Sequence, residues 1–277
     1  MRTINCVVCI AVFLLFPSCS DREDFTVPAS VSVTAHRGGA KLGNENTLSC
    51  IRQGIATGAD MIEVDVHLTR DGEVVVCHDE TIDRTTDAKG RIENLDFEEL
   101  RNARIVDAEG RVMDECIPTL EEVLRLIDGQ CGLLLEIKLS RPDQYPGLSR
   151  KCVEIVDTCG MREKTVFQSF NDIVLEELHA LDASLPLEKI IVCRLPFGLC
   201  FDGRLTRFSF EKYDYVEAVN AFYRLTSKRF VSDAHKAGKK VRVWTLDGPS
   251  RLIPYVDGII TNDPALFMRR RPADSQI

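Results

Sequence analysis

The chain has 277 residues, 44% hydrophobic and 28% charged, with a net charge of −8. This is an ordinary globular composition, which excludes fibrous, collagen-like and low-complexity classes. The acidic balance excludes nucleic acid as a natural partner, and past residue 20 no apolar run approaches the ~20 residues of a membrane-spanning helix.

Arg2 precedes an apolar run from Cys6 to Phe16, too short to span a bilayer and of the length of a signal-peptide core. Pro17-Ser18-Cys19-Ser20 follows. Residues 1–19 therefore read as a signal peptide. They resemble a bacterial lipoprotein signal with Cys19 as the lipid acceptor, and simple cleavage is the alternative because Phe16-Pro17 is bulky. Residues 20–30 form a tether, opened by the polar Asp21-Arg22-Glu23-Asp24, and the folded domain spans 31–272. This reading makes the protein exported, either periplasmic or a membrane-anchored lipoprotein of a bacterium. Eight of the 11 cysteines lie in the body. Export permits disulfides, but no body spacing is C-x-x-C, and burial as small apolar residues is the preferred reading.

Short β-rich runs then alternate with segments of helical spacing. The strand candidates are Val31–Ala35, Met61–Val66, Leu133–Ile137, Val166–Ser169, Lys189–Cys193, Val216–Val219, Val241–Trp244 and Gly258–Thr261. Helical candidates are Thr47–Thr57, Leu120–Ile127, Leu148–Cys159, Asp172–Leu181, Ser227–Ala237 and Ser250–Tyr255. Alternation of this kind predicts a parallel sheet, and eight units match the ~250 residues of a (β/α)8 barrel. An open doubly wound sheet would call for G-x-G-x-x-G after the first strand, where the chain has His36-Arg37-Gly38-Gly39. The rhythm breaks once. About 70–116, an extra strand (Glu73–Cys77) and a polar, turn-rich stretch (Asp79–Arg111) read as an insertion at the barrel mouth. The segment Leu195–Tyr213 is rich in Phe and Arg and fits no unit.

A barrel of this type carries its active site at the C-terminal ends of its strands. His36-Arg37 ends the first strand. Glu63, Asp65 and His67 share one face of the second, and Glu136 and Lys138 one face of the third, because side chains two apart leave a strand on the same side. Ile62, Val64, Val66, Leu135 and Ile137 then face the helices. Gln168 closes the fourth strand and Trp244-Thr245 the seventh. Three carboxylates converging on one mouth would repel one another, and a hard divalent cation, Mg2+ or Ca2+, relieves this. The competing reading is a salt-bridge network, Glu136 with Lys138 and Glu63 with Arg37. His36 and His78 offer proton transfer near neutral pH, and Arg37 a bidentate fork for phosphate. His67 is expected at the rim, and His179 and His235 as packing or surface residues.

In order, the chain carries His36-Arg37-Gly38, Glu45-Asn46-Thr47, Gly58-Ala59-Asp60-Met61-Ile62-Glu63-Val64-Asp65, Leu68-Thr69-Arg70-Asp71-Gly72, His78-Asp79 and Arg84-Thr85-Thr86. Further on come Ile117-Pro118-Thr119-Leu120-Glu121-Glu122, Leu135-Glu136-Ile137-Lys138, Gln168-Ser169-Phe170, Trp244-Thr245 and Gly258-Ile259-Ile260-Thr261-Asn262-Asp263-Pro264. With these blocks the chain resembles the glycerophosphodiester phosphodiesterases over residues 34–264. The resemblance implies a TIM barrel with a small subdomain inserted after strand two. It implies Glu63, Asp65 and Glu136 as ligands of one divalent cation, and His36 and His78 as the acid–base pair. Arg37 and Lys138 would hold the phosphate, with Glu45, Gln168 and Trp244 also at the substrate and Glu45 orienting His36 or Arg37. Asn44 and Asp247 depart from the family pattern, which usually has Pro and often Asn there.

The implied reaction is metal-assisted hydrolysis of a small-molecule glycerophosphodiester to sn-glycerol 3-phosphate and an alcohol. The nucleophile is water or the neighbouring glycerol hydroxyl. His36 is assigned as base and His78 as acid. Two alternatives stay open: a phosphodiesterase acting on phosphoinositides or intact phospholipids, and a lipoprotein that captures glycerophosphodiesters without cleaving them.

Overall fold

The structure is a computed structural model, and it describes residues 25–272 except 140, 142–143, 196–198 and 203–204. The expected signal peptide (1–19) and the start of the expected tether lie outside the described residues.

Eight parallel strands form a closed barrel: β1 (Ser32–Ala35), β2 (Met61–Leu68), β4 (Gly132–Ile137), β5 (Thr165–Ser169), β6 (Leu187–Ile191), β10 (Ala218–Phe222), β11 (Lys240–Trp244) and β12 (Gly258–Thr261). Pairing of β1 with both β12 and β2 closes the ring. The expected fold is therefore the observed one. Two strand expectations have their starts moved by two residues: the fifth strand begins at Leu187, and the sixth at Ala218.

The outer face of each strand meets helices. Ile62, Val64 and Val66 alternate outward into the main core, with Leu133, Leu135 and Ile137 beside them. The helices are α1 (Leu48–Ala56), α3 (Leu120–Ile127), α4 (Leu148–Thr158), α5 (Asp172–Leu181), α6 (Lys228–Lys236) and α7 (Pro264–Met268). Their starts are written locally. The Thr47 hydroxyl accepts from the Cys50 N–H to open α1, and Thr119 and Glu122 form a reciprocal capping box on α3. Ser250–Tyr255 is shorter than expected, holding only a 3-10 turn at Ile253–Tyr255.

The insertion is more than a polar loop. Strand β3 (Val74–Val76) pairs antiparallel with β2. Helix α2 (Phe97–Asn102) follows, announced by Asp96 and by Glu99, whose carboxylate accepts from the Asp96 N–H. Val75, Cys77, Ile82, Ile92, Leu100, Ile105 and Ile117 form a second core under it. The Leu195–Tyr213 segment includes a small antiparallel sheet of β7 (Cys193–Leu195), β8 (Leu199–Phe201) and β9 (Leu205–Arg207), with Tyr213 fully buried beneath. All eight body cysteines are free thiols, Cys50, Cys77, Cys152 and Cys200 buried. That agrees with the small-apolar reading.

Candidate active site

The loop after β1 is built for close approach. Arg37 takes a left-handed conformation (φ 53°) and Gly38 follows at φ 84°. A Cβ on Gly38 would come within 2.9 Å of Ile51, and one on Gly54 of α1 within 2.3 Å of the Gly38 carbonyl. Glycine at both positions lets the helix press against the loop. This tight turn aims the Arg37 N–H at Glu63 Oε2, 2.8 Å away.

Inside the mouth, Asp65 and Glu136 are register neighbours on β2 and β4, and Glu136 neighbours Gln168 on β5. Oxygens of Glu63, Asp65 and Glu136 lie within 4.8 Å of one another, all three residues buried. Lys138 Nζ sits 2.6 Å from Glu136 Oε1 and 2.8 Å from Asp65 Oδ1. The salt-bridge reading is thus half realised: Glu136 pairs with Lys138, but Glu63 is met by the Arg37 backbone, not its guanidinium. That guanidinium reaches Glu45 Oε1 at 2.9 Å and Asp65 Oδ2 at 3.8 Å. Glu45 therefore orients Arg37 rather than His36.

The electrostatics follow. Burial pushes the Glu63 carboxyl well above its usual range, with Asp65 and Glu136 repelling it further. Burial likewise raises Glu136, to about 7, and Lys138 only partly offsets this. Burial works against the Asp65 charge too, but Lys138, His78 and Arg37 win and hold it well below normal. Two carboxylates in three thus resist ionising even with Lys138 and Arg37 close by. Hard oxygen donors in that state fit a divalent cation.

The histidines differ in their backing. His36 Nδ1 lies 2.7 Å from Asn262 Oδ1, and its Nε2 is 4.0 Å from Glu63 Oε2. Burial, with Arg37, lowers its pKa to about 4. His78 Nδ1 lies 2.7 Å from a carboxylate, Asp79 Oδ1, and burial lowers its pKa too. His67 is buried, not at the rim, held between the Tyr145 hydroxyl (2.9 Å) and the His78 carbonyl (3.2 Å). His179 packs on Tyr215 and His235 pairs with Asp257, as expected of them.

One pocket is lined by His36, Arg37, Glu63, His78, Glu136 and Lys138 on its charged side. Phe170, Trp244 and Ile260 line the other, with Trp244 edge-on to Phe170. Gln168 also lines it, though its amide is used within the barrel: Nε2 reaches Glu63 at 3.3 Å and Oε1 accepts from Asn220 at 2.8 Å.

Four polar residues at the site had no assignment from sequence. Asn46 donates to Asp65 Oδ2 at 2.9 Å. Asp79 holds His78. Arg84 spans Glu45 and Asp79, and Asn262 holds His36. Asp79 had a signal, adjacency to His78; Asn262 had only its place after the last strand, with nothing to pair it with a partner 226 residues away.

The sequence profile of the glycerophosphoryl diester phosphodiesterase family matches residues 36–266. A glycerophosphodiester phosphodiesterase of Caldanaerobacter subterraneus is 35% identical over 84% of this chain and 94% of its own. One from Bacillus subtilis is 26% identical over 92% of each. A phosphodiesterase from Oleispira antarctica, solved with its product sn-glycerol-3-phosphate, superposes with a TM-score of 0.75 at 26% identity, covering 88% of this chain and 98% of that one. With the fold, the acidic cluster and a match across nearly the whole described chain, the protein belongs to the glycerophosphoryl diester phosphodiesterase family.

Proposed function

We propose that the protein hydrolyses glycerophosphodiesters to sn-glycerol 3-phosphate and an alcohol at the pocket between His36 and His78. One observation carries this: two histidines, the cations Arg37 and Lys138 and three buried carboxylates line or support a single pocket. Glu63, Asp65 and Glu136 would hold one divalent cation, Mg2+ or Ca2+. When bound, it polarises phosphoryl oxygens and carries transition-state charge.

The chain's own residues do the rest. Arg37, braced by Glu45, presents its guanidinium to a phosphate oxygen, and Lys138 adds a second positive charge. His36 stays neutral at working pH and takes the proton of the nucleophile, which is water or the adjacent glycerol hydroxyl. His78 gives a proton to the leaving alkoxide. The Asp79 carboxylate at its Nδ1 stabilises the imidazolium form, which suits the acid more than the base. Phe170 and Trp244 form an apolar wall for the carbon skeleton. The exported placement, periplasmic or lipid-anchored, belongs to this proposal too, supported by the apolar run Cys6–Phe16 followed by Cys19.

The test is release of glycerol 3-phosphate from glycerophosphocholine, glycerophosphoethanolamine and glycerophosphoinositol, with chelator and then with Mg2+ or Ca2+ restored. Metal-dependent release from any of them is the expected result. Binding without release would turn the assignment to capture, and cleavage confined to intact phospholipid would turn it to a lipid-directed enzyme.

A further inference from the structure

Behind His36 runs a chain of hydrogen bonds whose direction is set at its far end. Asp247 follows β11 and Asn262 follows β12. Asp247 Oδ2 accepts from Asn262 Nδ2 at 2.9 Å, and Asp247 Oδ1 accepts from the Asn262 backbone N–H at 2.8 Å and the Thr261 hydroxyl at 3.1 Å. Asn262 Oδ1 then faces His36 Nδ1 at 2.7 Å.

We propose that Asp247 and Asn262 are positioning residues that fix the tautomer of His36, holding its bare Nε2 toward the reaction. An ionised carboxylate can only accept hydrogen bonds. Asp247 therefore forces the Asn262 NH2 toward itself. The amide oxygen has to point the other way, and an oxygen there demands a proton on His36 Nδ1. Neutral imidazole carries one proton, so Nε2 holds the lone pair. Nε2 is the nitrogen 4.0 Å from Glu63, on the pocket side. A histidine in the opposite tautomer could not act as a base from that nitrogen. Asp247, a departure from the family pattern, thus sits outside the pocket lining and acts through Asn262 on the base. This inference rests on the assignment of His36 as base.

An isosteric swap isolates direction from shape. Asp247→Asn keeps an oxygen for the Asn262 backbone N–H. Its NH2 then confronts the NH2 of Asn262, so the Asn262 amide turns over and donates to His36 Nδ1. The double variant Asp247→Asn/Asn262→Asp restores the original sense: the new amide donates to the new carboxylate, which again accepts from His36. Two readouts apply, the 15N shifts of His36 at pH 8, identified by their loss in His36→Gln, and steady-state kinetics with Mg2+ or Ca2+ present. Wild type is expected to show the Nδ1–H tautomer. Asp247→Asn is expected to shift it toward Nε2–H and lower kcat about 10- to 100-fold with KM within about threefold. The double variant is expected to recover the tautomer and most of kcat. Lys41→Met, which removes the cation 3.5 Å from Asp247, leaves both unchanged if direction rather than charge is at work.

An Nε2–H tautomer in wild type overturns the proposal, as does a double variant no better than the single. A normal Nδ1–H tautomer in a wild-type protein with no phosphodiesterase activity would instead sink the functional assignment.

Discussion

The barrel encloses two polar clusters, and they solve the burial of charge in opposite ways. On the floor, Arg242 Nε lies 3.0 Å from both oxygens of Glu188, Asn220 donates to Glu188 and to Gln168 at 2.8 Å, and a second Arg242 nitrogen meets Ser32. One anion faces one cation and each is hydrogen-bonded. At the mouth, three carboxylates share Lys138 and the edge of Arg37, which Glu45 also claims. The charges of the floor balance one another; those of the mouth do not. Gln168 joins them, one end of its amide on each. A balanced buried pair reads as structure, whereas a surplus of like charge at the strand ends reads as a site awaiting a partner.

The largest effects should separate the two clusters cleanly. At the mouth, His36→Ala and His78→Ala are expected to fold normally and to lose about 10²–10⁴-fold in kcat, the range for removing a general acid or base. Normal turnover in both variants would break the assignment. On the floor, Arg242→Met should do the reverse. It strands the Glu188 carboxylate in a dry interior and should cost about 3–5 kcal/mol of unfolding free energy. Turnover of the remaining folded fraction should stay near wild type. Denaturant melts and active-site-normalised kinetics on both sets decide the matter.

A middle-sized effect concerns the cation. Burial and mutual repulsion raise Glu63 and hold Glu136 at about 7. A carboxyl whose folded pKa is raised favours the metal-free fold at low pH, and that contribution fades as pH climbs through 7. A cation binds only the ionised groups. The gain in melting temperature on adding Mg2+ or Ca2+ should therefore be small at pH 5 and full above pH 8. At a hundred times Kd it corresponds to ~2.7 kcal/mol. Glu136→Gln should flatten this pH dependence. Equal gains at pH 5 and 8 would show that the mouth carboxylates are not the ligands.

The contrast between the clusters also marks how far the sequence could be read. The mouth was legible because strand periodicity puts Glu63 beside Asp65 and Glu136 beside Lys138 on one face, whatever the rest of the chain does. The floor was not. Glu188 and Arg242 are 54 residues apart on different strands, and nothing local distinguishes them from surface charges. His36 and His78 were visible as histidines at strand ends; their backing groups were visible only where adjacent, as Asp79 is. The competing salt-bridge reading had Arg37 meet Glu63 through its side chain, but a left-handed backbone at that residue turns its N–H there instead. Helix α2 was missed because a six-residue helix has too short a period to stand out from a charged loop. His67 looked like a rim residue because only the fold shows that Tyr145 covers it.

The smallest expected effect lies at the edge of the mouth, where Arg84 of the insertion clasps the barrel. Its Nη2 and Nη1 lie 2.7 and 3.0 Å from the two Glu45 oxygens, and its Nε 2.6 Å from Asp79. Through these it links the carboxylate that braces Arg37 to the one that holds His78. The side chain is 48% exposed, so solvent screens it and about 1 kcal/mol is the reasonable scale. Arg84→Ala should then lower kcat/KM roughly fivefold, and added salt should shrink the difference. Arg84→Lys should recover little, since one ammonium cannot bridge two carboxylates as a planar fork does. A fully active Arg84→Ala would mean that Arg37 and His78 are held independently, each by its own carboxylate, and that the insertion delivers His78 without any help from the clasp.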